Sequence, residues 1–501
     1  MTPVPDRQPF VQQEICHASL PETTGSPFDP VDSFCQLIVA ERAEIAAELG
    51  CPVTFAVPPP GKCAARFLVG PASLNAALAS ATTAAGREPA DAPVVWIDRD
   101  RNLVAVDGPS ISDVGEAFQL LRTAFRTGQV ETPAAILRTL RIEIADTYPS
   151  FGLRKLDWNT VYSRHEPDLV ESGASLPALQ RLFADLQDAH TWVRDASSNT
   201  RLPYRAWIDP VRAHFTHVPT WSTAWSHGVR AGDEPLDVDR RDWWERSAAT
   251  PRSRALIAGY RWLAGPVGTE RQFHARKPDG WVVEWSETYQ PQPWHEPISR
   301  RILESGTGYL RIRGWMFTPG WIDALDEALG FLDRCARLLV DLRGNGGGQL
   351  IAAQHVRDRF LTAETTIGSV RFSIGNGDLS APAPIVGTPV VDAPAWHKPV
   401  RFLVDRLTYS ASEDAILGLG GLPHVQIVGE PTGGGSGRPR TIWLSSNVFA
   451  SVSTALTFDR NGHCIESNGV PVDIPLPIDL HFRDPVRYPA SDILAMADQG
   501  W

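Results

Sequence analysis

The sequence predicts a multidomain α/β protein whose chemistry sits on a mostly parallel β-sheet within residues 291–490. In that stretch GTGYLRIRGW, RLLVDLRG, VRFLVD and VQIVGE read as strands, while WIDALDEALGFLDRC and a segment from Glu413 read as helices. Strands that alternate with helices pair in parallel and carry the helices on their faces. RLLVDLRG is apolar in consecutive positions rather than at every second one, as a strand covered on both sides requires. The length of 501 residues corresponds to roughly three domains.

The elements before this sheet are of several kinds. Residues 1–63 are rich in proline and polar residues and read as an arm with one helix, Val31 to Leu49, where Phe34, Leu37, Ile38, Ile45 and Leu49 recur at helical spacing. Residues 64–131 read as a small α/β accessory domain. It has two strands, VVWID and LVAVD, around a polar turn from Arg99 to Asn102, then a helix opened by Ser112 or Asp113. Residues 132–200 form a helical subdomain that starts at Thr132-Pro133 and ends with LPALQRLFADLQ running into Asp188-Ala189-His190-Thr191. Residues 201–290 are rich in tryptophan and predict a compact β module with a Pro-Asp-Gly turn between paired strands. The catalytic α/β domain is expected over 291–490, with 491–501 as a tail.

Composition narrows the function. With 43% hydrophobic and 21% charged residues, the chain reads as an ordinary globular protein. A net charge of −11 argues against nucleic acid or an anionic membrane as the main partner. The first thirty residues lack an apolar stretch behind a positive start, and no later run reaches the roughly 18–20 apolar residues of a membrane span. A cytoplasmic enzyme is the expectation. The six cysteines, at 16, 35, 51, 63, 335 and 464, show no C-x-x-C spacing of a zinc site and read as reduced thiols rather than a disulfide pair.

Two local features carry chemistry. Asp341-Leu342-Arg343-Gly344-Asn345-Gly346-Gly347-Gly348 follows a buried strand. Three consecutive glycines cost backbone entropy and suit a place where N–H groups face a ligand, or else form a plain turn. In Val404-Asp405-Arg406-Leu407-Thr408-Tyr409-Ser410-Ala411-Ser412-Glu413 a strand stops and a helix starts within a few residues. Ser410 there either presents its hydroxyl at the sheet's carboxyl edge or caps the helix, with Glu413 completing a capping box.

DLRGNGGG, YSASE and IVGEPTGGG together resemble, in order and spacing, the tail-specific or C-terminal processing peptidases, over roughly residues 132–480. The resemblance implies a ClpP/crotonase-like catalytic domain, a degenerate PDZ-like module around HGVRAGDEPLDVD, and Ser410 as nucleophile. The family's bacterial members have a lysine base after GE-x-T-x-G; here Gly429-Glu430-Pro431-Thr432-Gly433-Gly434 is followed by Gly435. The nearby Arg438 and Arg440 stay protonated and make no base.

The tricorn-core branch of the same family uses a histidine and a glutamate instead. Asp188-Ala189-His190-Thr191 and Cys464-Ile465-Glu466-Ser467-Asn468-Gly469-Val470 resemble its two segments, implying His190 as base and Glu466 as the acid. That branch has a serine before the histidine where this chain has Ala189, so Glu466 is expected to reach His190 through Thr191, Ser412 or water, or to act less directly. The oxyanion donors implied are the N–H of Ala411 and one of Gly346 or Gly347, with no metal or organic cofactor. The expected substrate is a peptide or unfolded protein, and a homo-oligomer is compatible with the sequence. Alternatives at this stage are a non-peptidase acyl hydrolase, a peptide-tailoring enzyme, or a silent ligand-binding scaffold.

Overall fold

The computed structural model describes residues 133–501, apart from 197–198, 291–295, 392, 436 and 446–447, and five strands from the preceding part of the chain. The chain divides into two compact units, residues 1–142 with 441–450, and residues 143–440 with 451–501.

In the first unit, β1 (Cys16–Ser19), β2 (Val53–Thr54), β3 (Arg66–Val69), β4 (Val94–Asp98) and β5 (Leu103–Asp107) form one sheet in the order β2-β1-β3-β5-β4. β4 and β5 pair antiparallel from Asp98–Leu103 to Val94–Asp107, and the polar turn expected from Arg99 to Asn102 lies outside the described residues. The other pairings are parallel. This sheet takes strands from both sides of residue 63, where the sequence reading places a boundary. CHAS and VT are too short and mixed to carry a strand pattern of their own. The helices expected over Val31–Leu49 and after Ser112 or Asp113 lie outside the described residues.

The stretch expected to be helical contains α1 (Pro133–Thr147), α2 (Trp158–Glu171) and α3 (Leu176–Asp185). Asp157 caps α2 by accepting from the Thr160 amide at 2.7 Å. Helix α3 buries Leu179, Leu182 and Phe183 on one face, and the Tyr148 hydroxyl donates to the Leu186 carbonyl just past its end. Gln187 takes a positive φ of 55° and turns the chain out of the helix.

The tryptophan-rich module has β6 (Arg205–Ile208) paired with β7 (Ala213–His217), then β8 (Glu234–Pro235), helix α4 (Arg254–Trp262), β9 (Glu270–Arg276) and β10 (Val282–Thr288). β9 and β10 form a hairpin across Pro278-Asp279-Gly280, with the Lys277 amide bonded to the Trp281 carbonyl. Its aromatic residues build a core of their own. Phe273 stacks on Trp285 at 5.3 Å and meets Trp262 edge-on at 5.6 Å. Gly259 lets α4 lie directly on β6, because a Cβ there would sit 1.9 Å from the Ala206 carbonyl oxygen.

The main sheet contains β11 (Ile298–Ile302), β12 (Gly308–Ile312), β13 (Leu338–Asp341), β14 (Val400–Val404), β15 (Val425–Gly429) and β16 (Ile474–Pro475), in chain order across the sheet. Only the β11–β12 pair is antiparallel. Leu338 and Val340 point into a core with α5 (Pro319–Leu332), where Leu325 and Leu329 pack, while Leu339 joins Leu403, Val428 and Phe482 on the opposite face. The consecutive apolar residues of β13 thus follow from burial on both faces. Residues 491–501, read as a tail, lie largely within a helix, Ala490–Ala497, whose Ile493 and Ala497 are buried. No helix among the described residues is long and apolar enough to cross a membrane.

Candidate active site

The glycine-rich turn and the serine turn leave neighbouring strands, β13 and β14, and are stitched together. The Gly344 amide donates to Asp405 Oδ1 at 2.9 Å, and Thr408 Oγ1 donates to the Leu342 carbonyl at 3.0 Å. Buried Asn345 does more. Its carbonyl accepts from the Tyr409 amide at 3.0 Å and from Ser412 Oγ at 2.9 Å. Its side chain spans the Ile312 carbonyl, at 3.2 Å, and the Gly347 amide, at 3.1 Å.

Ser410 lies at the step into helix α6 (Ala411–Leu417), with φ 60° and ψ −126°. Only surrounding structure holds a non-glycine residue there, and such strain gathers at functional sites. The helix begins two residues earlier than the expected start at Glu413. Glu413 is the reason, because its carboxylate reaches back to the Ser410 amide at 3.0 Å and fixes Ser410 as the residue before the helix. The same carboxylate accepts from the amides of Gly434 and Gly435, both at 2.9 Å, and from Thr432 Oγ1 at 2.5 Å. Burial pushes its pKa up to about 7 against these four donors. Capping and presentation are therefore one device: the glutamate holds the serine's backbone, and the hydroxyl is left to face the site.

That hydroxyl meets His190. Nε2 of the ring lies 2.9 Å from Ser410 Oγ, across 220 residues of chain. The ring is 9% exposed and packs on Tyr409 at 4.6 Å between centroids. Asp188 shapes the histidine's turn, with Oδ1 accepting from the His190 amide at 2.8 Å. Its Oδ2 accepts from Thr191 Oγ1 at 3.0 Å and from Ser453 Oγ at 2.7 Å. Burial lowers the His190 pKa, and the charge of Asp188 offsets part of that, so the ring is neutral near pH 7.

Glu466 is 1% exposed and its Oε1 is held by Arg154 Nη2 at 2.5 Å. Arg154 Nε in turn donates to the Tyr148 hydroxyl at 2.9 Å. His190 Nδ1 meets the Gly437 amide, at 3.3 Å, rather than a carboxylate. The routes expected through Thr191 and Ser412 are not used. The Thr191 hydroxyl is directed to Asp188, and Ser412 Oγ accepts from Trp315 Nε1 while donating to Asn345. Arg438 and Arg440 are paired with Asp414 and Glu143.

Of the expected oxyanion donors, Gly347 has its amide engaged by Asn345. Its part is steric. A Cβ there would come 2.7 Å from Ser410 Cβ and 3.2 Å from Oγ, at a φ of 108°. Gly347→Ala is expected to lower turnover by about 100-fold or more, the scale of a disrupted oxyanion site, measured on any peptide the wild type cleaves. The amides of Gly346 and Ala411 make no hydrogen bond among the described residues.

Asp188, Asn345, Glu413 and Arg154 belong to this site although the sequence reading gave none of them a catalytic part. The signal was present for Glu413 as the S-x-x-E box, and for Asp188 as the residue two before the histidine. Glu413→Ala leaves three donors unmet in a buried place, the Gly434 and Gly435 amides and the Thr432 hydroxyl, while the Ser410 amide keeps the Gly435 carbonyl. It is expected to cost on the order of 3 kcal/mol or more, at about 1–3 kcal/mol per unmet group. Urea unfolding measures this, and the serine turn should lose activity with it.

Residues 306–476 match the model of Peptidase family S41. Among solved structures the chain is similar to mature CPAF, with 16% identity, a TM-score of 0.55, and coverage of 72% of this chain and 95% of that one. It is also similar to mature CPAF complexed with lactacystin, at 14% identity and a TM-score of 0.56, covering 73% of this chain and 98% of that one. A putative peptidase from Parabacteroides merdae aligns at 19% identity with a TM-score of 0.45, over 74% of this chain and 99% of that one. At such identities the likeness is one of fold. No curated protein sequence matches the chain.

Proposed function

We propose that this chain, whose residues 306–476 match the model of Peptidase family S41, is a serine peptidase of that family and cuts peptide bonds through an acyl-enzyme on Ser410 with His190 as general base. The observation that carries the assignment is the 2.9 Å contact between His190 Nε2 and Ser410 Oγ, within the range for proton transfer. In the reading proposed here, His190 takes the hydroxyl proton as Oγ attacks the peptide carbonyl. The oxyanion then faces the amides of Ala411 and Gly346. His190 returns the proton to the leaving amine, and water releases the acyl group in a second, matching cycle.

For this the neutral ring must carry its proton on Nδ1, leaving Nε2 as acceptor. The Gly437 amide, donating to Nδ1 at 3.3 Å, favours the other tautomer. The Gly437 contact must therefore give way when Nδ1 carries the proton. Glu466 is held in a buried pair with Arg154, and the carboxylate whose charge acts on His190 is that of Asp188. A histidine base in place of lysine aligns the site with the tricorn-core branch. The module over 201–290 is assigned the part of a PDZ-like element flanking the cleft.

A fluorophosphonate probe mapped by mass spectrometry tests the proposal. Modification is expected at Ser410. A folded protein that takes no label at Ser410, while labelling readily elsewhere, would overturn it.

A further inference from the structure

Beside the serine turn lies a cavity of about 290 Å³. Gly344, Gly346, Leu407 and Tyr409 form one wall, and residues of β6 and α4 form the other. The cavity therefore adjoins both an expected oxyanion amide and the residue before the nucleophile. Its lining includes Arg201, Arg205 and Arg406 and no aspartate or glutamate.

The three arginines are not equivalent. Arg406 is paired with Glu430 at 2.6 Å and Asp479 at 2.5 Å. The guanidinium of Arg201 stacks over the Tyr260 ring at 3.9 Å and has no hydrogen bond or ion pair among the described residues. Arg205 lies against the glycine turn, where a Cβ on Gly344 would sit 2.8 Å from its Nη2. It too lacks a hydrogen-bonded or ion-paired partner among the described residues. Asp405, its nearest acid, has Oδ1 taken by the Gly344 and Leu407 amides. Arg205 also borders a second cavity, whose Asp341 is held by Arg311 at 2.7 Å and Arg343 at 2.8 Å. Arg205 is exposed, at the start of a strand whose next three residues are buried.

Both guanidiniums line the cavity, Arg205 exposed and Arg201 half-buried, and neither has its N–H donors taken by a protein acceptor among the described residues, so those donors are open to an anion entering there. A planar fork of N–H donors suits a carboxylate best. We propose that this cavity is a specificity site that binds a carboxylate of the substrate close to the scissile bond, through Arg205 and Arg201. The inference rests on the serine peptidase reading of Ser410. The carboxylate comes either from an acidic side chain or from the substrate's own C-terminus.

Matched fluorogenic peptides carrying Glu or Gln at each position around the cut, all amidated, are compared with peptides bearing a free C-terminal carboxylate. Both sets are run on the full chain and on Arg201→Gln and Arg205→Gln. Wild type is expected to prefer Glu over Gln at one position, or free acid over amide, by about 10- to 100-fold in kcat/KM, the scale of a charge-assisted contact. The first preference identifies a side chain and the second a terminus. Either should shrink to within about threefold in R205Q, because the charged contact is gone. No preference for a carboxylate in wild type, or one that survives in both variants, overturns the inference. Failure of the underlying reading looks different: wild type would neither cleave any peptide nor take the fluorophosphonate, and the inference would fall with it.

Discussion

Ser410→Ala is expected to reduce peptide turnover by about 10⁶-fold, the scale on which loss of an activated serine is felt, while leaving the fold intact. The two halves of this expectation have separate causes. Among the described residues the hydroxyl has one partner, His190 Nε2, so its removal takes away the attacking atom and little else. The residue's backbone contacts stay, since the amide is bonded to Glu413 and to the Gly435 carbonyl. A melting temperature close to wild type beside lost turnover is the combined result to look for. Turnover within about tenfold of wild type would remove Ser410 from the chemistry.

The second large effect belongs to His190. Its burial lowers the pKa from the ordinary 6.5, and the nearby Asp188 restores only part of the difference. The sign follows from which form works: the neutral ring accepts the serine proton and the protonated ring cannot. The acid limb of kcat/KM should therefore have its midpoint below 6.5, so activity persists at pH values where an exposed histidine would already be largely protonated. His190→Ala is expected to lose about 10⁴- to 10⁶-fold, and the limb should vanish from whatever activity is left. A limb of the same midpoint in the variant would mean that another group titrates and that His190 is not the base.

The parts of this site that could be read in the sequence are those written in contiguous residues. DLRGNGGG follows an unbroken apolar strand, and a strand and helix meet within a few residues at Ser410. Each is a local pattern with a physical cause, and each lies at the expected place on the sheet. The capping box was legible too, but as an alternative to the nucleophile. Only the geometry shows Glu413 holding the serine's backbone while the hydroxyl points elsewhere.

What could not be read is what the fold alone brings together. Arg154 and Glu466 are separated by 312 residues and neither lies in a pattern that announces the other. Nor does Gly347 state whether its amide donates to a ligand or to Asn345. The first unit's sheet escaped for a different reason, because strands of four and two residues are shorter than any reliable alternation.

The 220 residues between His190 and Ser410 also set an order in time. At about 5–20 residues per second, the base leaves the ribosome on the order of tens of seconds before the nucleophile. The contact between them closes only after the intervening module and most of the main sheet have been synthesised. Until then the emerging chain holds a histidine with nothing to activate. A hydrolytic enzyme assembled in this way is harmless to its own nascent chain by construction, with no inhibitory segment required for that interval.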